Sequence, residues 1–241
     1  MALIALALLV LTIALLAQAP IAQFADFHAL ADQRTLAGVP NFWNVASNLP
    51  FLVVGWMGLD VLRRRPPGAS PAWAALFWGT LLVFFGSSYY HLAPDDATLV
   101  WDRLPIGIGF MGFFVALLCE HAGQRGQRVA RRLLFPLIAF SIGSVYWWRF
   151  TGDLSLYVWV QLAPMLAVVL ALALLPAQYS HRRYFAYALG CYAAAKLFEL
   201  GDHQLLQWTG GMLSGHTLKH LAAAAGVYCI YAMLKKRTPI P

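Results

Sequence analysis

The stretch Leu156–Pro176 reads LYVWVQLAPMLAVVLALALLP and contains no Asp, Glu, Lys or Arg. A helix needs roughly 17–25 mostly apolar residues to cross a hydrocarbon core of about 30 Å, so this stretch is long enough to span a membrane. Seven further stretches meet the same requirement, and we place them at Ala2–Ala19, Phe42–Leu62, Ala72–His91, Pro105–His121, Leu133–Arg149, Tyr184–Leu200 and Gly215–Leu234. These runs lack the alternating pattern of a lipid-facing barrel, and backbone groups inside a bilayer must be hydrogen-bonded internally, so helices are predicted.

The composition of the whole chain also indicates a membrane protein. Of its 241 residues, 61% are hydrophobic and 11% are charged, whereas a soluble domain carries about 25% charged residues. This composition excludes a disordered tail, a nucleic-acid-binding module and an ordinary cytosolic enzyme. The three cysteines lie in apolar runs and give neither a disulfide framework nor a metal-binding spacing.

We therefore predict an all-α membrane protein, a seven-transmembrane-helix bundle in one domain with an additional N-terminal hydrophobic helix. The N-terminal helix is expected in residues 1–19, an outer loop in residues 20–41, and the seven-helix domain in residues 42–241. The first segment has a second interpretation, because Ala17-Gln18-Ala19 resembles a signal-peptidase site. No positive residue precedes the apolar run, which favours a retained helix.

Basic residues predict the orientation of the bundle. They cluster on alternate connections, which the positive-inside rule assigns to the cytoplasm. Twelve of the 17 Lys and Arg residues follow this pattern: Arg63, Arg64, Arg65, Arg125, Arg128, Arg131, Arg132, Arg182, Arg183, Lys235, Lys236 and Arg237. The net charge of +7 therefore reflects topology, with a cytoplasmic C-terminus, and does not indicate a nucleic-acid partner.

Two short motifs place ionisable residues inside the predicted spans, where such residues are costly and often functional. The third span ends in Gly86-Ser87-Ser88-Tyr89-Tyr90-His91, which puts Ser87 and His91 four residues apart on one helical face. The last span opens with Ser214-Gly215-His216-Thr217-Leu218-Lys219-His220, which contains two histidines at the same spacing. The predicted orientation places all three histidines at the outer ends of their helices. Asp102 is expected at the same level, at the start of the fourth span.

Three histidines with an acidic neighbour suit a catalytic zinc ion. The pair His216 and His220 can supply two bonds from one helix, and His91 can supply a third. Water takes the fourth position, and its pKa falls to about 7 when it is bound to zinc. In this interpretation Asp102 accepts the proton of the water or holds the water in line for attack. Ser87 donates a hydrogen bond to the developing oxyanion or to the water.

Other interpretations of these residues stay open at this stage. Each histidine taken alone is compatible with a hydrogen-bonded interior residue. His91 together with His216 or His220 could also be the axial pair of a haem. Lys196 and Glu199, three residues apart in the seventh span, could form an intramembrane ion pair or bind a substrate headgroup.

The order and spacing of the motifs resemble a known family. Ser87-x-x-x-His91, Asp102 eleven residues later and His216-x-x-x-His220 look like the pattern of the alkaline ceramidases and of their wider superfamily, which includes the adiponectin and progestin receptors. The segment Asn41-Phe42-Trp43-Asn44-Val45-Ala46-Ser47-Asn48-Leu49 resembles the ceramidase segment that enters the first core helix. Together these matches cover roughly residues 26–235.

The resemblance implies a seven-helix bundle that holds zinc through His91, His216 and His220, with Asp102 and Ser87 beside the metal-bound water. It also implies a site open toward the lumenal or outer side. The reaction in that family is hydrolysis of the ceramide amide to sphingosine and a fatty acid.

Calcium is a point on which this chain departs from the family. Ceramidases that resemble it carry an acid-rich N-terminal stretch that holds a Ca²⁺ ion near the zinc site. The corresponding stretch retains only Asp26 and Asp32 as acids, and Asn41 stands where an acid is expected. This departure counts against Ca²⁺ as a cofactor.

The sequence thus predicts an intramembrane zinc-dependent lipid amide hydrolase, ceramidase-like, that cleaves an N-acyl sphingoid lipid to a free fatty acid and an amine. Its expected partner is a ceramide-like membrane lipid, with no nucleic acid and no obligatory protein partner. The expected location is a bacterial plasma membrane. The alternative is a receptor-like or transport protein in which zinc is structural.

Overall fold

A computed structural model describes residues 2–121 and 124–240, with the side chains of 124–126 and 129 left aside. Over these residues the protein is helical and contains no β-strand, only two isolated bridges. The helices are α1 (Ala2–Ala17), α2 (Phe42–Ala46), α3 (Leu49–Arg63), α4 (Pro71–Leu92), α5 (Asp96–His121), α6 (Gln124–Thr151), α7 (Ser155–Leu174), α8 (Arg183–Leu200), α9 (Asp202–Trp208) and α10 (Gly215–Lys236).

Six segments are long and apolar enough to cross a membrane, which makes the chain a multi-pass membrane protein. They are Phe42–Arg63, Pro71–Leu92, Asp96–His121, Ala130–Thr151, Ser155–Leu174 and Gly215–Lys236. The other two predicted spans also form helices. However, α1 has only 16 residues, and α8 carries Arg183, Lys196 and Glu199 within its 18 residues.

The expectation that Asp102 begins the fourth span is wrong. Helix α5 begins at Asp96, so Asp102 lies inside it, and Pro105 lies inside it as well. The start is fixed by Asp95, whose carboxylate accepts a hydrogen bond from the Thr98 backbone at 2.7 Å, while the Thr98 hydroxyl accepts one from the Asp95 backbone at 3.1 Å. This local cap sets the start of α5, although Pro105 is typical of the first turn of a helix.

Close contact between α4 and α5 positions the residues near the histidines. A Cβ atom on Gly86 would lie 2.0 Å from the carbonyl oxygen of Trp101, so only glycine allows this approach. That carbonyl lacks its helical partner, because residue 105 is a proline and has no N–H. Gly79 and Gly112 permit similar backbone contacts further along the same helix pair.

A non-helical segment, residues 20–41, crosses the end of the bundle at which α4 ends and α10 begins, hereafter the histidine end. Hydrogen bonds hold the segment in place. They join Ile21 O to Leu154 N at 2.8 Å, Gln23 Oε1 to Arg103 Nη2 at 2.6 Å, His28 Nδ1 to Tyr90 Oη at 3.0 Å, Ala31 N to Asp202 Oδ2 at 3.0 Å and Asn41 Nδ2 to the His91 carbonyl at 2.8 Å. The segment therefore contacts α4, α5 and α9 and the connection before α7, and covers that end of the bundle.

Arg237, one of the twelve residues predicted to face the cytoplasm, is buried. Its guanidinium forms an ion pair with Glu120 and lies 4.6 Å from the centre of the Tyr179 ring. This pair joins the chain after α10 to the end of α5, far from the histidine end. The charge of Arg237 is therefore paired inside the protein and is not exposed at the membrane surface.

Candidate metal centre

Two hydrogen bonds and one close backbone contact fix the start of α10. The Ser214 hydroxyl caps the helix by accepting a hydrogen bond from the Thr217 backbone at 3.1 Å. The carboxylate of Asp202 accepts another from the His216 backbone at 2.7 Å. A Cβ atom on Gly215 would lie 2.1 Å from the carbonyl oxygen of Phe198, so this glycine lets α10 start directly against α8. The position of the first histidine of the pair is therefore closely determined.

The structure brings together the three histidines that the sequence singled out. His91, His216 and His220 are 0%, 6% and 4% exposed, and one ring nitrogen of each lies within 4.8 Å of the others. Their ring centroids are 4.7 to 5.0 Å apart. Among the described residues this is the group of His, Cys, Asp and Glu side chains with the geometry to hold a metal ion. That the ion is zinc stays a prediction.

One pair of donors in this group has the separation of two ligands on a tetrahedral metal ion. The Nε2 atoms of His91 and His216 are 3.2 Å apart, and two nitrogens bound to one tetrahedral zinc at 2.0–2.1 Å lie about 3.3 Å apart. A haem is a poorer fit, because trans axial nitrogens are separated by roughly twice a metal–nitrogen bond of about 2 Å. The three closely packed rings also leave no slot for a porphyrin between them.

Ser47 orients His220 and was not assigned a role from the sequence. Its Oγ lies 2.8 Å from His220 Nδ1 and also donates to the carbonyl of Asn44 at 3.1 Å. A hydroxyl that donates to a carbonyl accepts from its other neighbour, so His220 carries its proton on Nδ1 and presents an unprotonated Nε2. This is how outer-shell partners prepare histidines for metal binding. Ser47 lies within the segment Asn41–Leu49 quoted above, and this was the sequence signal that could have identified it.

Ser87 and Asp102 lie next to each other beside this cluster. Ser87 is one helical turn before His91 and is 2% exposed, and Asp102 reaches it from α5 with 9% exposure. The Ser87 hydroxyl is a polar neighbour of the Asp102 carboxylate. Asp102 does not belong to the group of potential ligands.

An ionic group adjoins the cluster on the side of α8. The ion pair between Lys196 and Glu199, one of two interpretations left open by the sequence, is present at 2.9 Å. Lys219 also binds Glu199, at 2.7 Å, and its Nζ lies 3.4 Å from His216 Nε2. No local pattern predicts that Lys219 joins this pair, since twenty residues separate it from Glu199.

The residues considered for calcium are engaged elsewhere. The carboxylate of Asp32 accepts hydrogen bonds from Arg34 Nε at 2.8 Å and Nη2 at 2.5 Å. This guanidinium holds the pKa of Asp32 below its usual value, against the opposing effect of burial. Asn41 donates to the His91 carbonyl, and Asp26 is exposed. We therefore do not assign a calcium ion to this chain.

The family comparison covers most of the molecule. A family model described as a family of unknown function, DUF6962, matches residues 45–239. The chain belongs to this family. The matched region of DUF6962 contains all three histidines, Ser87 and Asp102, and it begins after the 20–41 segment. No curated protein matches the chain significantly.

Proposed function

We propose that this member of DUF6962 is an intramembrane zinc-dependent lipid amide hydrolase of ceramidase-like type, which cleaves an N-acyl sphingoid lipid to a free fatty acid and an amine. The observation that carries the proposal is the convergence of His91, His216 and His220 from two helices at one end of a membrane bundle. The adjacent pair of Ser87 and Asp102 supplies the polar groups that amide hydrolysis needs.

His91, His216 and His220 would hold the zinc ion, which would supply Lewis acidity and lower the pKa of a water molecule to about 7. In this proposal the carboxylate of Asp102 accepts the proton of the attacking water and returns it to the amine as the carbon–nitrogen bond breaks. The Ser87 hydroxyl donates a hydrogen bond to the oxyanion that develops on the substrate carbonyl. Ser47 keeps His220 in the tautomer that leaves Nε2 free.

The surroundings of the site favour a lipid over a soluble substrate. The 20–41 segment covers the histidine end through hydrogen bonds to several helices, and His91 is fully buried. An amphiphile whose scissile carbonyl lies near the membrane surface can approach from the side of the bundle. A soluble peptide would first have to displace the covering segment.

The membrane topology follows the same proposal. We assign α8 as the spanning helix that completes the seven, because it lies against α10 and its Glu199 pairs with Lys196 of α8 and Lys219 of α10. Helix α1 is then the additional N-terminal helix. The basic connections place the C-terminus in the cytoplasm and the histidine end at the outer side of a bacterial plasma membrane.

Metal analysis of the purified protein, coupled to a mass-spectrometric screen of lipid hydrolysis, tests the proposal. We expect about one zinc per chain and release of fatty acid from ceramide. His216→Ala and His220→Ala should each abolish both, whereas His181→Ala, at the other end of the bundle, should retain both. Zinc without hydrolysis of any acyl lipid would instead support the receptor-like or transport alternative, in which metal removal lowers only thermal stability.

A further inference from the structure

The ionic group of Lys196, Glu199 and Lys219 has no part in the proposed reaction, yet it borders the metal centre. Lys219 Nζ lies 3.4 Å from His216 Nε2, the same ring nitrogen that faces His91 at 3.2 Å. The ammonium group therefore adjoins the space in which a metal ion and the reacting carbonyl would lie. Only part of the group reaches the exterior, because the side chains of Lys219 and Glu199 are 22% and 25% exposed.

The charges of this region do not balance once a metal ion is present. Two ammonium groups share the single carboxylate of Glu199, at 2.7 and 2.9 Å. Asp102 is the other carboxylate that acts electrostatically on Lys219. With Asp102 these four side chains are neutral together, but Arg103 also acts on Asp102, so the five side chains carry a net charge of +1 before a divalent ion adds two further positive charges. Such an excess is costly inside a membrane protein, and an anionic group on the ligand would offset it.

We infer that Lys219 binds an anionic group of the substrate, and that among the acyl amides that enter the site a carboxylate-bearing one, such as an N-acylated amino acid, is preferred over a neutral amide. This inference rests on the proposed function and specifies its substrate. In an N-acylated amino acid the carboxylate carbon lies roughly 3–4 Å from the amide carbonyl carbon. A carboxylate bound to Lys219 would therefore lie near the amide carbonyl, and Lys219 Nζ itself lies 3.4 Å from His216 Nε2, a candidate metal ligand.

The exterior of α8 is compatible with this substrate class. The side chain of Lys196 is 46% exposed, and Leu197 and Leu200 beside it are 67% and 75% exposed. An amphiphile could therefore lie with its acyl chain along apolar side chains and its carboxylate beside two lysines. The ammonium of Lys219 would then exchange part of its contact with Glu199 for the ligand carboxylate.

Two matched amides separate the inference from its alternatives. N-Dodecanoylglycine and N-dodecanoylethanolamine have the same acyl chain and amide, and they differ in a carboxylate against a hydroxymethyl group. We expect the wild-type protein to show a KM at least about tenfold lower for the glycine amide, the range of a hydrogen bond to a charged group. In Lys219→Met the ratio of the two KM values should fall to near one while zinc content is retained. Lys235→Met, the same change at the opposite end of α10, should preserve the ratio.

Equilibrium binding gives a second measurement that does not depend on turnover. Keto analogues of both amides, in which a methylene replaces the amide nitrogen, cannot be hydrolysed. Tryptophan fluorescence titration should give a Kd at least about tenfold lower for the carboxylate analogue, and Lys219→Met should remove this difference. Tighter carboxylate binding without hydrolysis of either amide would contradict the proposed function but support the anion site. Equal Kd values together with hydrolysis of both amides and ceramide would overturn the anion site and leave the proposed function intact.

Discussion

The Nε2 atoms of His91 and His216 lie 3.2 Å apart, although 125 residues separate them in the chain. His91 ends α4 and His216 begins α10, so the contact links the two helices at one end of the bundle. His220 joins them from the next turn of α10. Two imidazole nitrogens at this separation would suffice for a simple hydrogen bond, but a third buried ring directed at the same space is the arrangement of a metal centre.

Loss of the Ser47 hydroxyl should weaken metal binding without unfolding the protein. Removing an outer-shell partner of a metal-binding histidine typically costs about 10–100-fold in affinity. We expect Ser47→Ala to show this loss in a competition titration against a zinc chelator. Ser144→Ala is the matched control, because Ser144 is also a buried serine whose hydroxyl donates to a backbone carbonyl. Equal zinc affinity in both variants would show that Ser47 does not orient His220.

Removal of the Asp102 charge should separate metal binding from turnover. Asp102→Asn is expected to retain zinc but to lose roughly 10²–10⁴-fold in kcat, because the amide cannot accept the proton of the attacking water. Metal analysis and steady-state hydrolysis of ceramide measure the two quantities on one preparation. Asp60→Asn makes the same change in an exposed i,i+4 pair and should leave both unchanged. Near-wild-type turnover in Asp102→Asn would remove this residue from the reaction.

The contact between Gly86 and Trp101 should be sensitive to a single methyl group. A Cβ atom at residue 86 would meet the Trp101 carbonyl at 2.0 Å, so Gly86→Ala should destabilise the bundle by about 1–3 kcal/mol. In Gly190→Ala the new Cβ meets no atom within 4 Å. That variant should be neutral or more stable by roughly 0.5–1 kcal/mol, because alanine favours a helix more than glycine does. Denaturant unfolding in detergent compares the two, and equal stability would contradict the tight α4–α5 contact.

Acidification should weaken the ion pair of Asp32 and Arg34 within the 20–41 segment. Arg34 holds the pKa of Asp32 below its usual value in the folded protein, even though burial acts in the opposite direction. The pair therefore stabilises the fold above the unfolded-state pKa of about 3.9, and this contribution is lost as the pH falls through the native pKa. The stability lost in Arg34→Met at about pH 6 should shrink toward about pH 3.

Thermal unfolding across this pH range measures the effect of Arg34. The control is Arg64→Met, because Arg64 forms an exposed pair with Asp60, and such pairs contribute little. A deficit of Arg34→Met that stays constant with pH would show that its contact with Asp32 is not the source of the stability.

Much of the fold and part of the site could be predicted from local patterns. Apolar length predicted the membrane helices, and the spacing of His216 and His220 placed both on one face, because each signal lies within a single helix. The start of α5 was misplaced, since Pro105 is tolerated where Gly86 of α4 packs against the freed Trp101 carbonyl of α5. Such compensation between helices leaves no local signal.

Contacts between distant parts of the chain were also beyond the reach of sequence patterns. Lys219 approaches Glu199 because Gly215 lets α10 start against α8. Arg237 is buried because Glu120 lies at the end of a different helix. In both cases the sequence shows the charges but not their partners, so Lys219 was assigned no role and Arg237 was counted among the basic residues of the cytoplasmic connections.

X-ray absorption at the zinc edge of the purified protein tests most directly whether the three histidines hold one metal ion. We expect about one zinc per chain with three imidazole nitrogens at about 2.0–2.1 Å and one further light ligand, and His91→Ala should lose the metal. A zinc ion with cysteine sulfur ligands, or full zinc content in His91→Ala, would contradict the metal centre on which the proposed hydrolase depends.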